Sequence, residues 1–149
     1  MTINYHQGAK EDAYEITRLY FEGTGRFASE PMKENCLDNY PSVVATLEGR
    51  IVGFAYTLQF SPEILRLDNM FVCPGLRRRG VGTEIVTRLE KIIPVKYTHV
   101  ILDNSLLYEY PRKDVEKHSA KAFYEKLGYR TVIETPNTVV LVKEIRKPL

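Results

Sequence analysis

Long apolar runs, cysteine and histidine are all scarce in this chain of 149 residues, and each scarcity closes off a class of function. No stretch approaches the ~18 consecutive apolar residues that a membrane-spanning helix requires, so no membrane partner is expected. The opening MTINYHQGAKED lacks the basic start and apolar centre of a signal peptide. Cys36 and Cys73 are the only cysteines, which is no disulfide framework. A reducing, cytoplasmic setting is therefore expected. His6, His99 and His118 are scattered without metal-ligand spacing, and no metal is expected. Charge of one sign is also in short supply, since a net charge of +2 is too small to argue for nucleic acid.

What is present suits a single globular domain over residues 1–149. Hydrophobic residues at 44% and charged residues at 27% are ordinary for such a domain. Repeats, low-complexity stretches and linkers are not evident. Ile3 to His6 reads as a short strand. Ala13, Ile16, Leu19 and Tyr20 share one helix face, with Gly23 and Gly25 as stops. Pro31 is placed to begin a second helix that turns Met32, Cys36 and Leu37 inward.

Three strands follow, at Ser42 to Leu47, Ile51 to Phe60 and Ile64 to Val72, with turns short enough for an antiparallel meander. Val81, Ile85, Leu89 and Ile92 then predict a helix face, closed by Pro94. A strand at His99 to Leu102 makes a parallel crossover with the strand before that helix. Asn104 to Glu116 is a long connection. Ser119 to Leu127 reads as a helix with Ala120, Phe123 and Leu127 toward the core and Gly128 as its stop. Tyr129 to Thr135 and Val139 to Val142 close the chain as a hairpin. The fold class is thus α/β with a mixed sheet.

The chemistry concentrates where the strand ending at Val72 meets the helix beginning near Val81. Arg77, Gly80 and Gly82 stand in the spacing R-x-x-G-x-G at that junction. The first turn of a helix leaves backbone N–H groups unpaired and carries partial positive charge. Glycine lets a phosphate approach those groups without a side chain intervening. Arg77, Arg78 and Arg79 add positive charge. A nucleoside triphosphate loop is excluded by the absence of G-x-x-x-x-G-K-[ST]. A dinucleotide fingerprint is excluded by the missing third glycine.

The segment MFVCPGLRRRGVGTEIV resembles the acyl-coenzyme A signature of the GNAT superfamily of N-acetyltransferases, V-x-P-x-x-[QR]-x-x-G-x-[GA]. Val72, Pro74, Arg77, Gly80 and Gly82 match it. SAKAFYEKLGYR resembles the second signature, A-x-x-F-Y-x-K-L-G-[FY], through Ala120, Phe123, Tyr124, Leu127, Gly128 and Tyr129. Both occur in the family's order and separation. The resemblance implies a mostly antiparallel sheet of six or seven strands with one splayed parallel pair, flanked by about four helices.

It further implies acetyl-CoA as acyl donor, a primary amine as acceptor and direct transfer in a ternary complex. Met70, Phe71 and Val72 would offer backbone groups to pantetheine, Arg78, Arg79, Gly80, Val81, Gly82 and Thr83 would line the pyrophosphate, and Arg77 belongs with them among the cofactor-binding residues. Tyr124 would lie near the coenzyme A sulfur and donate a proton as the C–S bond breaks. Strand alternation puts Arg66, Asp68, Met70 and Val72 on one face, which makes Asp68 a candidate base or a salt-bridge partner of Arg66. Asp103 and Glu109 are alternatives.

Lys117 stands where the family often has an asparagine that holds the pantetheine arm, and His118 reads as a solvated helix-start residue. Cys73 reads as an inert thiol. The loop Gly23 to Glu30 and the connection Asn104 to Glu116, with Tyr108, Glu109, Tyr110, Arg112 and Lys113, would face the acceptor. Small amine, antibiotic, peptide N-terminus and protein lysine all stay open, and a homodimer is compatible. A non-catalytic acyl-CoA sensor and a nucleic-acid binder are the rival classes.

Overall fold

The computed structural model describes residues 2–26, 30–77, 79–105 and 119–148. Among the described residues, seven strands form one mixed sheet in the order β1-β2-β3-β4-β5-β7-β6, accompanied by four α-helices. The chain divides into two compact units, residues 1–59 with 67–94 and residues 60–66 with 95–149. Strand β4, Ile64–Val72, contributes to both. Among the described residues, no helix is long and apolar enough to cross a membrane.

In the first unit, β1 (Asn4–His6) pairs antiparallel with β2 (Ser42–Leu47), which pairs antiparallel with β3 (Arg50–Ser61). The β2–β3 turn works because Glu48 and Gly49 both take positive φ, 52° and 78°, whose twist suits a tight hairpin. Helix α1 (Ala13–Thr24) and helix α2 (Glu30–Asn39) cover a core of Ile16, Cys36, Leu37, Val44, Phe54, Tyr56 and Phe71. Full burial of such side chains stabilises by about 1.5–3 kcal/mol each.

Gly25, at φ 72°, ends α1 and donates its N–H to the Phe21 carbonyl at 2.7 Å. Gly23, expected as a second stop, lies inside the helix. Its missing side chain makes room for the Phe71 ring, whose Cζ, Cε1 and Cε2 all lie within 3.1 Å of where a β-carbon would stand.

Helix α3 (Val81–Ile92) buries Val81, Ile85 and Leu89 as predicted. Ile92, predicted on the same face, is 44% exposed, and Ile93 is buried in its place. The helix has already ended there: Ile93 is extended (φ −67°, ψ 126°), the conformation that a following proline favours.

In the second unit, the start of β4 pairs parallel with β5 (His99–Ser105), aligning Ile64 with His99, Leu65 with Val100 and Arg66 with Ile101. Strand β5 pairs antiparallel with β7 (Thr138–Glu144), and β7 with β6 (Arg130–Glu134). Helix α4 (Ser119–Lys126) packs on β6 and β7. Its end is a paired glycine stop, in which Tyr129 N–H reaches the Tyr124 carbonyl at 3.1 Å and Gly128 N–H the Glu125 carbonyl at 3.1 Å. Ala120, Phe123 and Leu127 are only half-buried; Tyr124 is the deeply buried side chain of this helix.

Candidate active site

The first unit holds the strand, turn and helix start. Met70 is half-buried, whereas Phe71 and Val72 are buried. The strand end is anchored on its neighbour, since Cys73 donates its N–H to the Val52 carbonyl at 2.8 Å. Pro74 then starts one turn of 3-10 helix, Pro74–Leu76, whose Leu76 is buried and so fixes the turn from within. Gly80 precedes α3 at φ 77°, a left-handed conformation that costs any residue with a β-carbon.

Being glycine, Gly80 cannot cap the helix with a side chain, and the Glu84 N–H is the one that bonds the Gly80 carbonyl, at 3.0 Å. The N–H groups of Val81, Gly82 and Thr83 thus belong to the first turn, where intrahelical acceptors are absent and the helix dipole is positive. Thr83, Arg79 and Gly80 are exposed around them, while Val81 and Gly82 are buried. That is a backbone cradle for an anion with basic surroundings. It fits a pyrophosphate.

Of the three consecutive arginines, Arg77 points back along its own chain. Its Nε donates to the Val72 carbonyl at 3.0 Å, and its guanidinium lies 5.2 Å from the centre of the Phe71 ring. Arg78 lies outside the described residues.

Asp68 is half-buried on β4 and exerts its charge on two neighbours that sequence reading did not connect with it. Burial, reinforced by the Asp68 charge, pushes the Cys36 thiol up to about 11. Burial likewise raises the Tyr56 phenol, against a hydrogen bond from Asn69 and with Asp68 adding to the rise. The Asn69 Nδ2 donates to the Tyr56 hydroxyl at 3.2 Å, and the Tyr56 ring stacks on Phe54 at 5.8 Å. Tyr56, Asn69 and Cys36 are the neighbours that the structure links to Asp68 and its strand. The available signal was a tyrosine amid the apolar run of β3 and an asparagine beside Asp68 on β4.

In the second unit, the Tyr124 ring stands edge-on to Phe123 at 5.0 Å and to Tyr129 at 5.5 Å. Burial alone raises its phenol well above the usual tyrosine range. Such a group keeps its proton at any ordinary pH. Arg66 and Asp103 form an ion pair at 2.8 Å, with side chains 41% and 43% exposed. Asp103 therefore supplies the carboxylate for Arg66 that Asp68 was considered for. At that exposure the pair contributes little to stability.

The family model for the acetyltransferase (GNAT) domain matches residues 38–131, a span that contains both the R-x-x-G-x-G turn and the helix bearing Tyr124. The chain belongs to the GNAT family. Solved structures of similar fold accompany that match. Ard1 from Thermoplasma volcanium is 17% identical with a TM-score of 0.79, the alignment covering 99% of this GNAT chain and 100% of that one. PaiA N-acetyltransferase from Thermoplasma acidophilum, in complex with coenzyme A, is 15% identical at a TM-score of 0.73, covering 97% and 99%. An aminoglycoside 6′-N-acetyltransferase complexed with coenzyme A is 21% identical at a TM-score of 0.75, covering 100% and 99%. At these identities the likeness is one of fold. No curated protein matches this GNAT chain in sequence.

For the GNAT chain, the first unit brings together Asp68, Met70, Phe71, Val72, Arg77, Arg79, Gly80, Val81, Gly82 and Thr83 on one continuous strand, turn and helix. Tyr124 belongs to the second unit. Cys73 is half-buried and Cys36 buried, and neither is in a disulfide. The predicted acceptor-side residues Tyr108, Glu109, Tyr110, Arg112 and Lys113 lie outside the described residues, as do Lys117 and His118.

Proposed function

We propose that this chain transfers an acetyl group from acetyl-CoA to a primary amine by direct attack in a ternary complex. The observation that carries the reading is the turn itself. A left-handed glycine opens α3 after the 3-10 turn that follows β4, inside a GNAT match that also contains the Tyr124 helix. On this reading, residues 1–149 act as one catalytic domain.

The N–H groups of Val81, Gly82 and Thr83 bind the pyrophosphate, with Arg79 and Arg78 drawing the anion in. Backbone groups of Met70, Phe71 and Val72 bind pantetheine. A backbone N–H near Val72 polarises the thioester carbonyl and stabilises the oxyanion formed on attack, typically the largest electrostatic contribution.

The amine arrives protonated, since a lysine-like amine has a pKa near ~10.4, and must lose a proton before its lone pair can attack. Asp68, or water held beside it, takes that proton. Its half-buried position on the strand that leads to Met70, Phe71 and Val72 supports this role. The new C–N bond forms at the carbonyl carbon, the C–S bond breaks, and the sulfur leaves as a thiolate that is reprotonated from solvent.

Tyr124 serves that sulfur in a particular way. A thiolate of pKa near ~8.5 does not deprotonate a phenol whose own pKa is raised above ~10. Tyr124 therefore donates a hydrogen bond to the leaving thiolate and keeps its proton. Tyr124→Phe is expected to lower kcat by about tenfold to a thousandfold while acetyl-CoA affinity changes little, the signature of an interaction made in the transition state. Unchanged turnover in that variant would remove Tyr124 from the mechanism.

A further inference from the structure

Arg77 stands in the anion-binding motif, yet its side chain is engaged with the strand that precedes the motif. The Nε–H bonds the carbonyl of Val72, the last residue of β4, and the guanidinium lies over the ring of Phe71, the residue before it. Phe71 is itself held by two further neighbours. Its ring meets Tyr20 edge-on at 5.9 Å and fills the space that a side chain at Gly23 would need. Gly23, Phe71 and Arg77 thus form a stack from the end of α1 to the cofactor turn, with a hydrogen bond at its outer end fixing the Val72 peptide.

We propose that Arg77 is a positioning residue, which latches the end of β4 in register for the pantetheine arm through its Nε–H and planar guanidinium, and that its charge is not what binds the pyrophosphate. The latch rests on the reading of this turn as an acetyl-CoA site. Its chemistry makes a distinctive demand. Glutamine places an N–H donor the same number of bonds from the backbone as the arginine Nε, within a planar amide that can lie on a ring. Lysine keeps the full charge but has a methylene at that point and no planar group.

The test compares Arg77→Gln with Arg77→Lys by titration calorimetry, using acetyl-CoA and, separately, the nucleotide half of the coenzyme, a phosphorylated adenosine diphosphate. The latch predicts that Arg77→Gln binds both ligands within about twofold of wild type. It predicts that Arg77→Lys loses about fivefold for acetyl-CoA and little for the nucleotide half, because a lost hydrogen bond is worth about 1 kcal/mol and acts on the pantetheine strand. A wild-type-like Arg77→Lys beside an Arg77→Gln weakened for both ligands would overturn the proposal in favour of direct charge contact. Equal losses in the two variants would overturn it as well.

Arg77 is exposed, so both variants are expected to fold. Thermal unfolding without ligand gives an independent reading: the latch predicts a Tm that holds in Arg77→Gln and falls by a few degrees in Arg77→Lys. The reverse order of Tm values would contradict it. If the wild type bound no acetyl-CoA, the proposed function would fail while the latch was still tested by these Tm values.

Discussion

Cys36 is fully buried on α2, and its thiol is pushed up to about 11 by burial and the Asp68 charge. The folded protein therefore holds this proton more tightly than the unfolded chain, where a thiol titrates near ~8.5. Between those values the native state binds more protons than the unfolded state, so stability is fully present below about pH 8.5 and declines as pH rises toward about 11. Urea midpoints measured across that window should fall in wild type and fall less steeply in Cys36→Ala; parallel slopes would show that Cys36 contributes nothing.

Gly23 makes a second residue-level case, because two effects oppose each other there. Alanine in a helix interior is favoured over glycine by about 0.8–1.0 kcal/mol. Against this, a β-carbon at Gly23 meets three ring carbons of Phe71, within a cluster that also holds Tyr20 and Phe54. Overpacking of that kind costs about 1–3 kcal/mol. Gly23→Ala is expected to be net destabilising in urea unfolding; a stabilised variant would mean that the ring yields easily. Sequence reading took this glycine for a helix stop, since a contact with Phe71, forty-eight positions away, leaves no local trace.

Among the elements, the turn between β4 and α3 combines two glycines of different kinds. Gly80 has open space where a β-carbon would go but a φ of 77°, so alanine there costs conformational energy alone, about 1–2 kcal/mol. Gly75 also has open space and no positive φ. Gly80→Ala should therefore lower stability and acetyl-CoA affinity together, while Gly75→Ala leaves both nearly unchanged. Equal tolerance of the two in calorimetry and unfolding would contradict this account of the turn.

Strand and helix boundaries were largely legible because apolar period, glycine and proline all act locally. Val81, Ile85 and Leu89 announced α3, and Pro94 announced its end. The finer orientations were not legible. Ile92 follows the helical period but comes at the last turn, where the chain leaves the helix and turns Ile93 inward. Tyr124 carries a hydroxyl, which hides how deeply its ring is packed between Phe123 and Tyr129.

For the molecule as a whole, the mixed sheet with one parallel pair was readable from the order of elements, because a strand, a helix and a strand force a crossover whereas short turns force antiparallel neighbours. The glycine turn before α3 was equally readable, since its spacing is a backbone requirement written in consecutive residues. The links among Asp68, Cys36, Tyr56 and Asn69 were not readable, because they join side chains far apart in sequence, and charge and aromatic content along one segment do not encode them.

The central claim is acetyl transfer from acetyl-CoA to an amine, and the most direct measurement is product analysis on the wild-type protein. The protein is incubated with acetyl-CoA and a panel of small amines, aminoglycosides, peptides with free N-termini and lysine-containing peptides, with free thiol release and acetylated product followed together by mass spectrometry. The account predicts equal amounts of free coenzyme A and N-acetylated product with at least one acceptor, both formed about tenfold to a thousandfold more slowly in Tyr124→Phe. Acetyl-CoA binding with no acetylated product across that whole panel would contradict it.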